Sequence, residues 1–236
     1  MNKTKAANYM AIALTSCLLV STAKAGERNL FTDVRGGDVS TSSLMSEGKY
    51  KIHANDVIFI FADLHPDLIS SSATISPDAL AANAEGLAKV AHAISAPSLF
   101  LTVPRNGKPG ELIPELKTYA TAENTIFREN ADPFQVPKIV DAIKKSGKKT
   151  IIISGYTSEV AVLLTALGGI ERGYRVVIPV DCIGNRSAKT EDAALARSAQ
   201  AGAMLTSLAS VAAELAPDFS REPGKTILSV IMNAKL

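Results

Sequence analysis

Short apolar runs alternate with longer segments of helical periodicity along most of this sequence. The runs at 56–63, 151–153 and 175–180 are rich in β-branched residues, and the first and last lead into an aspartate. Such runs are typical of strands covered on both faces. Strands that alternate with helices predict an α/β fold: a three-layer α/β/α sandwich around a mainly parallel, Rossmann-like sheet of about six strands. The predicted strands are 56–63, 98–103, 125–127, 151–153, 175–180 and 203–206.

Helix signals lie between the predicted strands. Ser76 and Pro77 supply a cap and a first helical residue, and Gly147 ends another helix. The segment 104–110 is dense in turn residues and predicts a loop. The segment 226–232 has strand character, and we expect it to pair with its own sheet or with another subunit. The predicted helices are 77–94, 112–116, 137–146, 158–172, 191–201 and 207–215.

One strand-to-helix corner, within residues 148–167, organises the chain. Gly155 permits a sharp exit from the strand, and Thr157 or Ser158 can cap the following helix. Glu159 adds a negative charge to the first turn, where the helix dipole favours one. In an open α/β sheet such a corner lies at the carboxyl edge, where ligands bind. The corner therefore predicts a ligand site.

The first 25 residues have the pattern of a secretory signal. Two lysines precede an apolar run, 10–20, that is too short to span a bilayer, and Ala23-Lys24-Ala25 is an A-x-A cleavage site. We expect an exported product, periplasmic or secreted. Alternatives are an uncleaved anchor or a lipoprotein, since Leu14-Thr15-Ser16-Cys17 resembles a lipobox. An extended arm (26–50), one domain (51–216) and a tail (217–236) are predicted to follow.

Composition narrows the classes of partner. The chain has 236 residues, of which 47% are hydrophobic and 20% charged, with a formal charge of +2 and no Trp. A charge this small gives no basis for a nucleic-acid or anionic-membrane partner, and aromatic stacking platforms are scarce. After cleavage at Ala25, Cys182 is the sole cysteine, so no internal disulfide can form and the fold must rely on its core.

Several motifs occur in an order and spacing that resemble the isochorismatase-like superfamily and its cysteine hydrolase branch. The family's D-x-Q-N-D-like segment corresponds to Asp63-Leu-His-Pro-Asp67, and its G-x-x-T-[DE]-V-C-V segment to 155–162. Its E-x-G-Y-x-V…D pattern fits 171–181. The segment 112–116 is similar to the L-x-P-E-L of small oligomeric hydrolases, which implies a homo-oligomer that acts on a small molecule without a cofactor.

The resemblance implies a triad of Asp, Lys and Cys, in which the thiolate attacks a carbonyl and backbone N–H groups hold the oxyanion. Asp63 matches the aspartate, and Arg128 stands near the place of the lysine. Ala161 occupies the nucleophile position, and a methyl group cannot attack a carbonyl. Thiol-dependent amidase or nicotinamidase chemistry is therefore not expected. Tyr156, Thr157 and Val160 match the oxyanion turn, where family members often carry a cis peptide between the first two positions.

A second route in the superfamily needs no thiol. Isochorismatases proper carry a small residue at the cysteine position, and their aspartate protonates a vinyl ether before water completes the hydrolysis. Ala161 fits that route, whereas Arg128 opposes it, because a permanent cation would hold Asp63 ionised. Arg128 could instead be an ordinary surface or salt-bridged arginine, and Asp63 a cap of the next turn. An acid at the end of a buried strand nevertheless favours a function.

Other polar residues are weaker candidates. His65 and Cys182 could reach the pocket, although a lone strand-end cysteine is usually a buried hydrophobe. Ser158 is better explained as a helix cap than as a substitute nucleophile. The alternation Asp63-x-His65-x-Asp67 suggests a metal, but no further His or Cys pair has ligand spacing, and no metal is predicted.

Two functions remain open from sequence. The first is an exported hydrolase of a small molecule, anionic or neutral, that works without a thiol nucleophile. The second is an inactive family member, a pseudoenzyme that binds a small ligand or serves in an assembly. Whether the protein is an enzyme stays undecided at this level.

Overall fold

A parallel sheet of seven strands lies at the centre of residues 50–235, the part of the chain that the computed structural model describes. The predicted signal segment and residues 26–49 of the predicted arm lie outside that part. In chain order the strands are β1 (Val57–Ala62), β2 (Ser98–Thr102), β3 (Pro104–Arg105), β4 (Lys108–Pro109), β5 (Thr125–Phe127), β6 (Thr150–Tyr156), β7 (Arg175–Pro179), β8 (Ile183–Gly184) and β9 (Met204–Thr206).

Helices and tight turns connect these strands. Short 3₁₀ turns cover Ala54–Asp56, Pro133–Gln135 and Val180–Cys182, and a π-helical turn covers Ser158–Val162. Among residues 50–235 no helix is long and apolar enough to cross a membrane. The α-helices are α1 (Pro66–Ile69), α2 (Pro77–Ala93), α3 (Pro114–Lys117), α4 (Pro137–Ser146), α5 (Leu163–Glu171), α6 (Ala188–Ala201), α7 (Leu208–Leu215) and α8 (Gly224–Asn233).

The strand order is β5-β2-β1-β6-β7-β9, with β8 paired to the end of β6, and every pairing in this sheet is parallel. The central strand β1 is buried along its whole length. Its alternating side chains divide between two apolar clusters: Phe59 and Phe61 pack with α2 and α7, and Ile58 and Ile60 pack with α4 and α5. Burial on both faces explains why the run has no polar alternation. The predicted three-layer sandwich is confirmed.

The tail is where the sequence prediction is wrong. Residues 226–232 lie in helix α8 and form no strand. The β-branched run suggested a strand, yet its apolar residues also follow a helical period, and Ile227 and Val230 are buried in the core shared with α2 and α7. Gly86 of α2 allows this approach, because a Cβ there would lie 3.2 Å from Val230. Tertiary packing has overridden local propensity.

The segment 104–110, predicted as a loop, contains a small antiparallel hairpin of β3 and β4. Its turn residues Asn106 and Gly107 both have positive φ angles, 50° and 74°, as a two-residue type I′ turn requires. The Asn-Gly pair is the usual sequence for that turn. We call residues 103–111 the site hairpin, because it borders the site described below.

Candidate functional site

The floor of the site is an aspartate directly after the central strand. Asp63 follows β1 with a φ of 58°, a left-handed conformation that Asp tolerates better than most residues. Its N–H donates to the carbonyl of Leu101 at 3.0 Å, which fixes the backbone against β2. The side chain is 8% exposed. An acid is thus held, nearly buried, at the carboxyl edge of the sheet.

Arg128 comes from the end of β5 and pairs with this acid. Its Nη2 donates to Asp63 Oδ2 at 2.5 Å, and Nη1 lies 2.5 Å from the Asn130 carbonyl and 3.1 Å from that of Ala131. The arginine side chain is 1% exposed. Spacing alone had suggested Arg128, and the structure brings it to Asp63 rather than to the surface.

The pair leaves two buried polar atoms without a partner, Asp63 Oδ1 and Arg128 Nε. Burial raises the pKa of Asp63 to about 6, although the charge and the hydrogen bond of Arg128 pull in the opposite direction. The sequence had suggested that the arginine would keep this acid fully ionised. Desolvation outweighs the arginine, so the carboxyl can be protonated under mildly acidic conditions.

The predicted corner forms the second wall. Strand β6 ends in a cis peptide between Tyr156 and Thr157, as the resemblance implied. Gly155 is required, because a Cβ there would lie 2.7 Å from the carbonyl oxygen of Ala62 in β1. The following π-helical turn carries Ala161, which is 1% exposed and presents only a methyl group. Val160 is exposed at the rim.

Ser158 does not cap the helix, contrary to the sequence prediction, and neither does Thr157. The Ser158 hydroxyl lies 3.0 Å from the carbonyl of Gly184 and 2.6 Å from Glu191 Oε2 on α6. Thr74 donates to the same carboxylate oxygen at 3.1 Å. This partly buried network ties the turn to α6 and β8. Nothing in the local sequence around Ser158 signals a partner 33 residues away.

A cavity of about 300 Å³ opens above Asp63, Arg128 and Ala161. The turn contributes Tyr156, whose hydroxyl lies 2.8 Å from Ser71 Oγ. The sequence prediction thus named most of the floor and the turn. The lining residues are Asp63, Leu68, Val103, Pro104, Arg105, Arg128, Glu129, Ala131, Tyr156, Thr157, Val160, Ala161 and Arg186.

Sequence reasoning missed two arginines of this wall. Arg105 lies on the site hairpin and pairs with Asp67, its Nε 2.6 Å from Oδ2. Arg186 follows β8 on the opposite flank, and its side chain has no ion-pair partner among residues 50–235. A polar residue just beyond a strand end was the available signal for both.

The weaker candidates lie away from the cavity surface. His65 is fully buried, with its ring nitrogens bonded to Glu111 O and Val103 N. Cys182 is fully buried beside α2, where its Sγ donates to Asn83 O at 3.6 Å, and burial raises the pKa of its thiol. Within the described residues no group of three or more His, Cys, Asp or Glu converges as metal ligands would.

Taken together, the described residues of the site offer an acid, three arginines and a turn of backbone amides, and no cysteine is among the residues that line the cavity. Such an arrangement can bind a small molecule and can hold or deliver a proton at Asp63. Fold and site define a class: an α/β protein with a carboxyl-edge pocket of the isochorismatase type.

Comparison with known proteins agrees with that class. Residues 58–210 match the isochorismatase domain. The chain is 32% identical over 179 residues to YcaC of Escherichia coli, a probable hydrolase, covering 75% of this chain and 86% of YcaC. The chain therefore belongs to the isochorismatase family. Hydrolase-like chemistry is the broad function that this family and YcaC support.

Solved structures give the same result. YcaC of E. coli, described as an octameric hydrolase of unknown specificity, superposes with a TM-score of 0.73 at 31% identity, over 78% of this chain and 91% of YcaC. YcaC of Pseudomonas aeruginosa, which carries covalent acrylamide and hexane-2,5-diol, gives 0.73 at 30% identity over 79% and 92%. A secreted isochorismatase effector of Verticillium dahliae, Isc1, is 33% identical over 87 residues, 37% of this chain and 45% of the effector.

Proposed function

We propose that this protein is an exported hydrolase of a small molecule that works by acid catalysis at Asp63, without a cysteine nucleophile. One observation carries the proposal: Asp63 is nearly buried, its pKa is raised to about 6, and its Oδ1 has no partner while the residue lines the cavity. A buried, unpartnered carboxyl oxygen is costly unless a ligand or proton satisfies it.

The reaction would proceed in three steps. Protonated Asp63 gives its proton to the far carbon of an enol-ether double bond, which leaves a positive charge on the carbon that bears the ether oxygen. Water then adds to that carbon and its proton returns to Asp63, and the resulting hemiketal breaks down to a carbonyl compound and an alcohol. Ala161 supports this scheme because it leaves room for water or substrate where related hydrolases place a thiol. Arg128 would orient the carboxyl through Oδ2, which leaves Oδ1 without a protein partner.

The substrate would be small and negatively charged. A cavity of about 300 Å³ accommodates a compact molecule. Arg186 lacks an ion-pair partner in the described part of the chain, so its guanidinium is available to bind a carboxylate or similar group.

A second candidate is a catalytically inactive member that binds a ligand or serves in an assembly. The closed Asp63–Arg128 ion pair favours this inactive candidate. Arg128 occupies Oδ2, and its charge opposes protonation of Asp63. The octameric state of E. coli YcaC supports a homo-oligomer for this chain under either candidate.

Export is part of the proposal. The N-terminal pattern supports cleavage after Ala25, and the secreted effector Isc1 is a partial relative. The alternative, a lipoprotein anchored through Cys17, gives a different mature N-terminus. Mass spectrometry of the protein from the native host distinguishes the two, since a chain that starts at Gly26 has no lipid, whereas one that starts at Cys17 carries acyl chains.

The test of activity is a turnover screen. Purified protein, without residues 1–25, is offered a panel of small carboxylate-bearing enol ethers, esters and amides at about pH 5 and pH 7.5, either side of the Asp63 pKa. Turnover of the enol ethers is expected, and it should be faster at about pH 5 than at about pH 7.5. Asp63→Asn should reduce kcat at least about a hundredfold. Asp78→Asn, an exposed aspartate at the start of α2, is the control. Robust hydrolysis excludes the inactive candidate, and full activity of Asp63→Asn excludes the role of Asp63.

A further inference from the structure

His65 is the polar side chain most completely enclosed next to the site, and the proposed reaction does not use it. It stands two residues after Asp63 and is 0% exposed. Its ring does not face the cavity, but both ring nitrogens bond to the site hairpin. Nδ1 lies 2.7 Å from the carbonyl of Glu111, and the N–H of Val103 donates to Nε2 at 3.2 Å.

These two bonds fix the protonation state of the ring. A carbonyl oxygen only accepts, so Nδ1 must carry a hydrogen; an N–H only donates, so Nε2 must be bare. His65 is therefore the neutral tautomer with hydrogen on Nδ1. A protonated ring would turn Nε2 into a donor that faces the donor of Val103, and that contact would be lost.

The two bonded residues are the first and last of the site hairpin. Val103 O also accepts from Gly110 N–H at 2.9 Å, so His65 clasps the hairpin where its two arms meet. Gly110 packs directly on the ring, since a Cβ there would lie 2.7 Å from His65 Cε1. The clasped arm carries Val103, Pro104 and Arg105 into the cavity wall.

The charged groups around His65 come from three elements. Asp67 lies on α1, directly after His65 in the chain. Arg105 lies on the site hairpin and Arg128 lies just beyond β5, while Glu111 contributes its backbone carbonyl. Burial holds the pKa of His65 below its ordinary value of 6.5, with the two arginines lowering it further and Glu111 and Asp67 opposing. The ring is thus neutral at neutral pH and becomes protonated only in acid.

We propose that His65 is a positioning residue of the candidate site: its neutral ring clasps the site hairpin against the cavity, and its protonation releases the hairpin and the wall that carries Arg105. The consequence for catalysis rests on the proposed function. Turnover that depends on protonated Asp63 falls as the pH rises above the pKa of Asp63. It would also fall in acid, where protonation of His65 opens the clasp. The pH profile of turnover would therefore be bell-shaped.

The clasp itself is testable without a substrate. Hydrogen exchange followed by mass spectrometry reports the protection factors of peptides covering 103–111, with β1 and β6 as internal references. Between about pH 7 and pH 4.5, protection of the site hairpin in the native sequence should fall about tenfold, while the reference strands stay protected. The fall is expected because the hydrogen bond from Val103 N–H to His65 Nε2 is lost. No fall over the range in which the reference strands remain protected overturns the proposal.

Two variants make the assignment to His65 specific. In His65→Gln, the neutral amide can donate to Glu111 O and accept from Val103 N–H, so the hairpin should stay protected at both pH values. His92→Gln, an exposed histidine on α2, should keep the native pH dependence. Asp63 also titrates in this range, so a fall that persists in His65→Gln belongs to Asp63 and overturns the clasp.

Should His65→Gln fail to fold, NMR titration of the native His65 ring gives the answer. Ring protonation with the same midpoint as hairpin release supports the proposal, and a different midpoint overturns it. Failure of the turnover screen would leave these results unchanged, so the clasp and the proposed reaction are tested separately.

Discussion

Asp63 and Arg128, 65 residues apart in sequence, form a buried ion pair with one bond of 2.5 Å from Nη2 to Oδ2. Each partner keeps one polar atom unsatisfied, Oδ1 on the acid and Nε on the base. Burial outweighs the arginine in setting the acid's pKa, so the carboxyl of Asp63 can be protonated in mild acid.

The raised pKa of Asp63 predicts a pH-dependent stability. The folded protein binds this proton more tightly than the unfolded chain, so the contribution is full below pH 3.8 and is lost as pH rises through about 6. The free energy of unfolding of the native sequence, relative to Asp63→Asn, should therefore drop by about 2 kcal/mol between about pH 4 and pH 7. Urea unfolding of both proteins measures it, and Asp78→Asn should run parallel to the native sequence. Parallel curves for Asp63→Asn would show that the acid is not perturbed.

Ala161 predicts resistance to thiol reagents. Protein prepared without residues 1–25 has Cys182 as its single cysteine, and this thiol is fully buried with a raised pKa, so the folded protein should take up no acrylamide under conditions that label an accessible thiolate. Ala161→Cys should be labelled once, at the cavity. Intact-mass measurement gives the result, and urea-unfolded native protein, labelled at Cys182, is the control. Rapid labelling of the folded native sequence would contradict the burial of that thiol.

The link between Ser158 and Glu191 predicts a stability effect through α6. Glu191→Ala removes the acceptor 2.6 Å from a serine that is 1% exposed and should destabilise the protein by about 1–2 kcal/mol. Glu191→Gln keeps an accepting oxygen and should cost less than half as much. Chemical denaturation compares these with Asp192→Ala, an exposed neighbour expected within about 0.5 kcal/mol of the native sequence. Equal losses for the Ala and Gln variants would refute the hydrogen-bond explanation.

The hydrogen bonds of Asn83 predict how the end of helix α8 is fixed to the rest of the protein. Its amide donates to Asp181 O at 2.7 Å and to Lys235 O at 2.8 Å, and its oxygen accepts from Lys235 N–H at 2.8 Å. Asn83→Ala should cost about 2–3 kcal/mol and expose the amides of α8 to exchange before those of the sheet. Asn233→Ala removes only a local bond to Ser229 and is the control. Unchanged protection of α8 would mean that Ile227 and Val230 alone anchor it.

The local sequence pattern was sufficient to predict much of the fold and about half of the residues at the candidate site. The strand β5 and the helix α4 occur at the predicted residues, because a β-branched run or a helix closed by Gly147 carries its own boundary signals. Asp63, the turn at 156–161 and the absence of a thiol could be located from motif order alone. Arg128 was placed by spacing, and only the fold shows that its guanidinium reaches Asp63.

Long-range contacts decided the rest. Segment 226–232 fits a strand or a helix by itself, and packing on Gly86 and α7 selects the helix. Serine is a common helix-cap residue, yet in the folded chain the Ser158 hydroxyl contacts the Glu191 carboxylate and the Gly184 carbonyl instead. The sequence by itself determined which residue types end the central strands and that alanine stands at position 161 of the turn. Only the tertiary structure decided the pKa of Asp63, the clasp of His65 and the arginines of the wall, because desolvation and hydrogen-bond partners depend on residues far apart in sequence.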